Sequence, residues 1–277
     1  MISVPHSYIE DSVNTALTED IGHGDITSLI IPEENISLAN VISRESAIIC
    51  GIDWFEEVFS QLDPNVFIDW EVDDGESVEA NQQLCSLSGP TRALLTGERT
   101  ALNFLQTLSG TATLTRRYVD IIKDTPAKLL DTRKTIPGLR LAQKYAVACG
   151  GGLNHRIGLF DAILIKENHI LAAGSITAAV AAARFNNPDM AVEIEVENLD
   201  QLQQAITEKV ERVLLDNFNL VLLRQAVAIT HKQLQLEASG GVNLASILAI
   251  AQTGVDFISC GALTKDVTAI DLSMRFI

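Results

Sequence analysis

Between Lys128 and Lys166 the chain carries seven lysines and arginines but only two acids, Asp131 and Asp161. Elsewhere it is acidic enough that the formal net charge is -16. A cationic island in an acidic protein concentrates small anions rather than polyanions. Arg133, Lys134, Arg156 and Lys166 belong to this island, with His155 next to Arg156, and Arg99 in GERTALN is grouped with them. That is more positive charge than one carboxylate needs. Arginine reads carboxylates and phosphates through a planar pair of donors, whereas lysine supplies a point charge. Glu195 and Asp216 offer hard oxygen donors of the kind that suit Mg²⁺ or sugar hydroxyls. Ser239-Gly240-Gly241 and Gly261 offer backbone amides to a phosphate, the former expected at the N-terminus of the following helix. Together these groups fit a phosphorylated sugar and a second anionic substrate, with magnesium. No Ser-His-Asp or Cys-His arrangement stands out, which disfavours covalent hydrolysis.

Each of these residues also has a plainer reading. Lys166 could carry its charge out to solvent along an apolar stem. Glu193, Glu195 and Glu197 share one strand face, which could be a solvated edge. Asp216 could cap a helix, Ser239–Gly241 could be only a turn, and Gly150–Gly152 could end a helix over 141–149. A histidine such as His155 is more often structural than catalytic. His6 and His23 are assigned no role.

What favours the chemical reading is the arrangement of the elements. After Thr125 the apolar strand-like runs AKLLDT (127–132), AILIK (162–166), VEIEV (192–196), RVLLD (212–216), LQLEAS (234–239) and DFISC (256–260) alternate with helical stretches. Their starts lie 20 to 35 residues apart, the spacing of parallel β/α units with right-handed crossovers. Such units build a barrel or an open sheet, with function at the C-terminal strand ends. Those ends are Thr132-Arg133-Lys134, Lys166, Glu195, Asp216, Ser239-Gly240-Gly241 and Gly261. Before Thr125 the texture differs. Residues 4–20 read as an amphipathic helix, 37–90 as short strands and turns, and 91–123 as helix, split by Gly110.

The totals narrow the class. The chain has 277 residues and is 47% hydrophobic and 20% charged, a globular composition with ample core. No apolar run reaches the roughly 18 residues that span a bilayer, and no signal peptide is evident. Cys50, Cys85, Cys149 and Cys260 are spaced 35, 64 and 111 residues apart, which is no metal or redox pattern and fits reduced thiols in the cytoplasm. The negative charge argues against nucleic-acid binding.

LTEDIGHGDITS (17–28), LLTGERTALNFLQTLSGTAT (94–113), LLDTRKTIPGLR (129–140), YAVACGGGLNHRIGLFDAILIKENHI (145–170), VEIEVENL (192–199), LLDNF (214–218), ASGGV (238–242) and SCGALT (259–264) closely resemble the quinolinate phosphoribosyltransferase family, in order and over essentially the whole chain. The departures, such as Ile136 where threonine is common, fall at variable positions. The resemblance implies an α/β fold: an N-terminal α/β sandwich over 1–125 and an incomplete, TIM-like β/α barrel of six to seven strands over 126–277. The N-terminal helix and C-terminal tail are expected to pack across that boundary, and a seventh strand element is expected near 145–160 or at the C-terminus. It implies a homodimer in which Arg99 reaches the neighbouring active site, and no membrane or nucleic-acid partner. It further implies phosphoribosyl transfer from phosphoribosyl pyrophosphate to quinolinate with Mg²⁺ and loss of CO₂.

The implied catalytic residues are Lys134, Lys166, Glu195 and Asp216. The implied substrate contacts add Arg99, Thr132, Arg133, His155, Arg156, Ser239, Gly240, Gly241 and Gly261, and Glu195 and Asp216 are the implied Mg²⁺ residues, directly or through water. Three competing readings remain: a relative acting on nicotinate or a similar small aromatic acid, a Schiff-base aldolase using Lys166, and a non-catalytic anion-binding protein.

Overall fold

A computed structural model describes residues 2–277. The chain divides into two compact units. The first comprises Met1–Arg116, Ile136–Gly151 and Asp266–Ile277, and the second Arg117–Thr135 and Gly152–Lys265.

In the first unit, helix α1 (His6–Ile21) precedes strands β1 (Ile36–Ser43) and β2 (Ala47–Ile48). Helix α2 (Ile52–Leu62) is followed by β3 (Phe67–Trp70), β4 (Ser77–Val78) and β5 (Gln83–Pro90). Helix α2 falls inside the stretch expected to be strands and turns. Its sequence, IDWFEEVFSQL, turns Trp54, Phe55, Val58 and Phe59 to the core, a helical period that short-strand reading obscures. Phe55 meets Phe59 and Trp70 at ring-centroid distances of 5.3 and 5.2 Å. Phe55 and Phe59 are fully buried, and each such ring stabilises the fold by about 2–3 kcal/mol.

Helix α3 (Thr91–Ile122) runs unbroken for 32 residues, so Gly110 does not split it. Glycine is required there for another reason. A Cβ at 110 would stand 2.1 Å from the carbonyl oxygen of Thr268. The position is a close approach between chain segments, and the helix simply tolerates the residue.

The second unit contributes β6 (Lys128–Leu130). Helix α4 (Arg140–Cys149) then belongs to the first unit. It ends at Gly150–Gly151, where Gly151 takes a φ of 91° and donates its amide to Ala148, a left-handed helix terminus. A Cβ at Gly150 would sit 2.5 Å from the Ala112 carbonyl. The second unit continues with β7 (Ile163–Ile165), α5 (Glu167–Ala173), α6 (Ile176–Asn186), β8 (Val192–Val196), α7 (Leu199–Thr207), β9 (Arg212–Asp216), α8 (Leu220–Thr230), β10 (Gln235–Ser239), α9 (Ile247–Ala251), β11 (Phe257–Ser259) and α10 (Ala262–Lys265).

Six parallel strands pair in the order β6-β11-β10-β9-β8-β7. Each of the six apolar runs forms one of them, because strands buried on both faces read as nearly continuous apolar sequence. Near residue 153 the seventh element is reduced to a single parallel bridge, Leu130 to Leu153. The C-terminal strand β12 (Leu272–Phe276) pairs antiparallel with β1 in the first unit, whose sheet runs β12-β1-β5-β3.

Candidate active site

All the candidate residues except Arg99 lie in the second unit, at or just beyond the C-terminal ends of its strands or, for His155 and Arg156, just beyond the Leu153 bridge. Arg99 is an exposed residue of α3, in the first unit.

The cations come from three adjacent chain segments. After β6, the Thr132 hydroxyl accepts the Lys134 amide (3.0 Å), and the Lys134 carbonyl accepts the Thr264 hydroxyl (2.8 Å). This fixes the backbone that carries Arg133. Lys134 is itself exposed. Gly261 leaves room for it, since a Cβ there would lie 3.0 Å from Lys134 Cδ. In the second segment, buried Asp131 accepts the His155 amide (2.8 Å) and the Asn154 side-chain amide (2.7 Å). His155 Nδ1 accepts the Arg156 amide at 2.7 Å. Burial lowers the Arg156 pKa from its ordinary value, and the positive charge of Arg133 lowers it further. Two cations that repel each other electrostatically are poised for an anion that would relieve both. The third segment supplies Lys166. Its carbonyl accepts the His169 and Ile170 amides that open α5, and its own amide donates to His169 Nδ1.

The acids face this group from neighbouring strands. Glu195, on β8, meets Lys166 at 2.5 Å. Asp216 ends β9 and does not cap α8, where Asn219 accepts the Val221 and Leu222 amides. Burial raises the Asp216 pKa and the charge of Glu195 adds to the rise, while Asn217, Lys166 and Lys134 oppose it. Two mutually repelling, partly open carboxylates form a hard-oxygen set that a divalent cation would neutralise. Strand β8 is an interior strand, between β7 and β9, so its acids are not a solvated edge. Along its face exposure rises from Glu193 (buried) through Glu195 (partly buried) to Glu197 (exposed).

Ser239 ends β10, and Gly240 and Gly241 follow it. Gly240 has φ 103° and its missing Cβ would overlap Asn217 Oδ1 at 2.1 Å, so glycine is needed for both conformation and space. These residues do not open a helix. α9 begins at Ile247, and Asn243 caps the intervening turn by accepting the Ala245 and Ser246 amides. Gly261 directly precedes α10.

Beneath this rim lie Glu237 and Arg212, to which the sequence reading gives no role, together with His155 and Glu193. His155 Nε2 stands 3.1 Å from Glu193 Oε2 and 3.6 Å from Glu237 Oε2. Arg212 Nη1 lies 3.6 Å from Glu237, and its guanidinium stacks over Phe257 at 4.2 Å. Burial and the charge of Glu193 push Glu237 up to about 7, against the opposing effects of His155, Ser259 and Arg212. Burial works against a charge on His155, but Glu193 and Glu237 outweigh it and raise its pKa. The signal was available: Glu237 is two residues before Ser239 in an otherwise apolar strand, hence on the same face.

Comparison with known proteins agrees over the whole chain. The family descriptions "Quinolinate phosphoribosyl transferase, N-terminal domain" and "C-terminal domain" match residues 25–109 and 111–275. A probable carboxylating nicotinate-nucleotide pyrophosphorylase of Synechocystis is 42% identical, over 99% of this chain and 94% of its own. A probable enzyme of the same name from Bacillus subtilis is also 42% identical, over 97% and 93%. The solved nicotinate-nucleotide pyrophosphorylase of Francisella tularensis superimposes with a TM-score of 0.97 at 52% identity, covering 99% of this chain and 98% of that one. The chain belongs to the quinolinate phosphoribosyltransferase family.

Proposed function

We propose that this protein transfers the phosphoribosyl group of phosphoribosyl pyrophosphate to quinolinate, releasing pyrophosphate and CO₂ and forming nicotinate mononucleotide, a step of de novo NAD biosynthesis. The observation that supports this reading is the presence, around one end of the parallel sheet, of the Arg133–Arg156 cation pair and the Glu195–Asp216 acid pair, with Lys166 bonded to Glu195. A dicarboxylate needs the first pair and a ribosyl cation the second.

Arg133, Arg156, His155 and Lys134 hold the two quinolinate carboxylates. Glu195 and Asp216 bind the ribose hydroxyls and soften the positive charge that builds at the sugar C1 as pyrophosphate leaves. Lys134 and Lys166 neutralise the leaving pyrophosphate or a carboxylate. Ser239, Gly240, Gly241 and Gly261 hold the 5′-phosphate, the glycines through loop amides, and Thr132 is a further substrate contact. Once the pyridine nitrogen carries the sugar it withdraws electrons, the adjacent carboxylate leaves as CO₂, and the electron pair left at that ring carbon takes up a proton from solvent. Most of the acceleration comes from positioning and preset charge. Glu195 and Asp216 are the residues that would hold Mg²⁺, whose chemistry when bound is to neutralise pyrophosphate oxygens.

Quinolinate and nicotinate tested side by side with phosphoribosyl pyrophosphate decide the substrate. Turnover of quinolinate alone is expected, and preference for nicotinate overturns the assignment. The protein works in the cytoplasm as a homodimer in which Arg99 serves the neighbouring site. No described helix is long and apolar enough to cross a membrane. Mixing Arg99→Ala chains with Arg133→Ala chains should restore part of the activity lost by each, and no recovery in well-exchanged heterodimers overturns the shared site.

A further inference from the structure

Glu193 and Glu237 are buried, at 7% and 0% exposure, among apolar strands. Two acids at such depth are costly unless cations and hydrogen bonds compensate them. His155 and Arg212 supply the cations. Arg212 is in turn held by its stack on Phe257 and by a 3.3 Å hydrogen bond to Gln235. The cluster therefore has a fixed base, and its upper member is His155.

The imidazole has a hydrogen bond at Nδ1 and ion-pair contacts at Nε2. Nδ1 accepts the Arg156 amide, so the ring proton sits on Nε2, which faces the two acids. A ring held this way has one tautomer and one orientation. Asp131 fixes the backbone of the same residue from below. The Arg156 backbone thus leans on a ring whose far side rests on Glu193 and Glu237.

We propose that Glu193 and Glu237 are positioning residues of the acid-binding pocket: acting through His155, they set the placement of the Arg156 backbone and hence of the guanidinium that binds the substrate carboxylate. This rests on the proposed turnover of quinolinate. Neither acid touches substrate. Each holds a residue that does, as supporting partners hold catalytic groups in preset sites.

The test is a double-mutant cycle in the full-length protein, read as KM for each substrate. Glu237→Gln and Glu193→Gln should each raise the KM for quinolinate about tenfold, with the KM for phosphoribosyl pyrophosphate within about twofold. In a His155→Ala background, Glu237→Gln should change the quinolinate KM by less than about twofold, because the group it acts through is gone. An equal rise in that background, or an equal rise in both substrates' KM, overturns the proposal and leaves the acids as core residues only. Should Glu237→Gln fail to fold, Glu237→Asp and Glu193→Gln, with quinolinate binding followed by calorimetry, give the same comparison. A wild-type protein that does not turn over quinolinate refutes the underlying function. Wild-type turnover with unmoved variants refutes only the positioning role.

Discussion

Glu193 and Glu195 stand two residues apart on one face of β8 and have almost opposite surroundings. Glu195 lies at the rim, partly open, against the partly exposed charge of Lys166. Glu193 lies one layer deeper, closed in with Glu237, His155 and Arg212. The same side chain on the same strand thus has two different uses. At the rim an acid can exchange its lysine for a substrate hydroxyl or a cation. On the floor its partners are packed in place, and a charge there can only hold other groups still. Depth along a barrel strand separates reacting groups from supporting ones.

The largest effects should come from the rim cations. Arg133→Ala, Arg156→Ala and Lys166→Ala should each lose at least about 2–4 kcal/mol of transition-state stabilisation, read from kcat/KM. Near wild-type values in all three would remove the rim from the chemistry altogether.

Next in size is a direct test of the two glutamates. Glu195→Gln should lower kcat by about 10- to 100-fold, as loss of a charge that acts as the transition state forms, whereas Glu193→Gln should act mainly on the KM for quinolinate. Matching kinetic profiles for the two variants would erase the distinction between the layers. Gly240→Ala should be more local. Strain at φ 103° and the overlap with Asn217 should cost about 1–3 kcal/mol, seen as a lower Tm together with a raised KM for phosphoribosyl pyrophosphate.

The smallest effect concerns the floor alone. The folded Glu237 takes up protons more readily than an unfolded glutamate, with a pKa raised from 4.5 to about 7. Its contribution to stability is therefore full below about pH 4.5 and declines as the pH rises through 7. Tm measured from pH 5 to pH 8 should fall less in Glu237→Gln than in wild type. An unchanged slope would mean that the floor charge is already compensated.

Much of this architecture is readable in the sequence, and the failures share a physical cause. Apolar runs marked all six parallel strands because burial on both faces leaves little choice of residue. The rim residues stood out because polar groups interrupt those runs at their ends. What escaped notice depends on partners distant in sequence. Gly110 looked like a helix breaker, but only the Thr268 carbonyl explains it. Ser239–Gly241 looked like a helix start, but the capping of the turn by Asn243 places that start at Ile247. Glu237 looked like an ordinary strand residue until β8 and the loop carrying His155 brought its neighbours to it. Trp54, Phe55 and Phe59 lie inside the stretch read as short strands and turns, and α2 gathers them on one face.

The pairing of β12 with β1 has a consequence for how the chain is made. A ribosome releases Ile36–Ser43 early and Leu272–Phe276 only after every strand of the parallel sheet. Until then β1 has β5 on one side and an unpaired row of amides and carbonyls on the other, the kind of edge that invites pairing with another chain. The nascent protein therefore carries an open sheet edge for most of its synthesis. A premature stop after Lys265 would leave all six parallel strands in the product but make that exposure permanent.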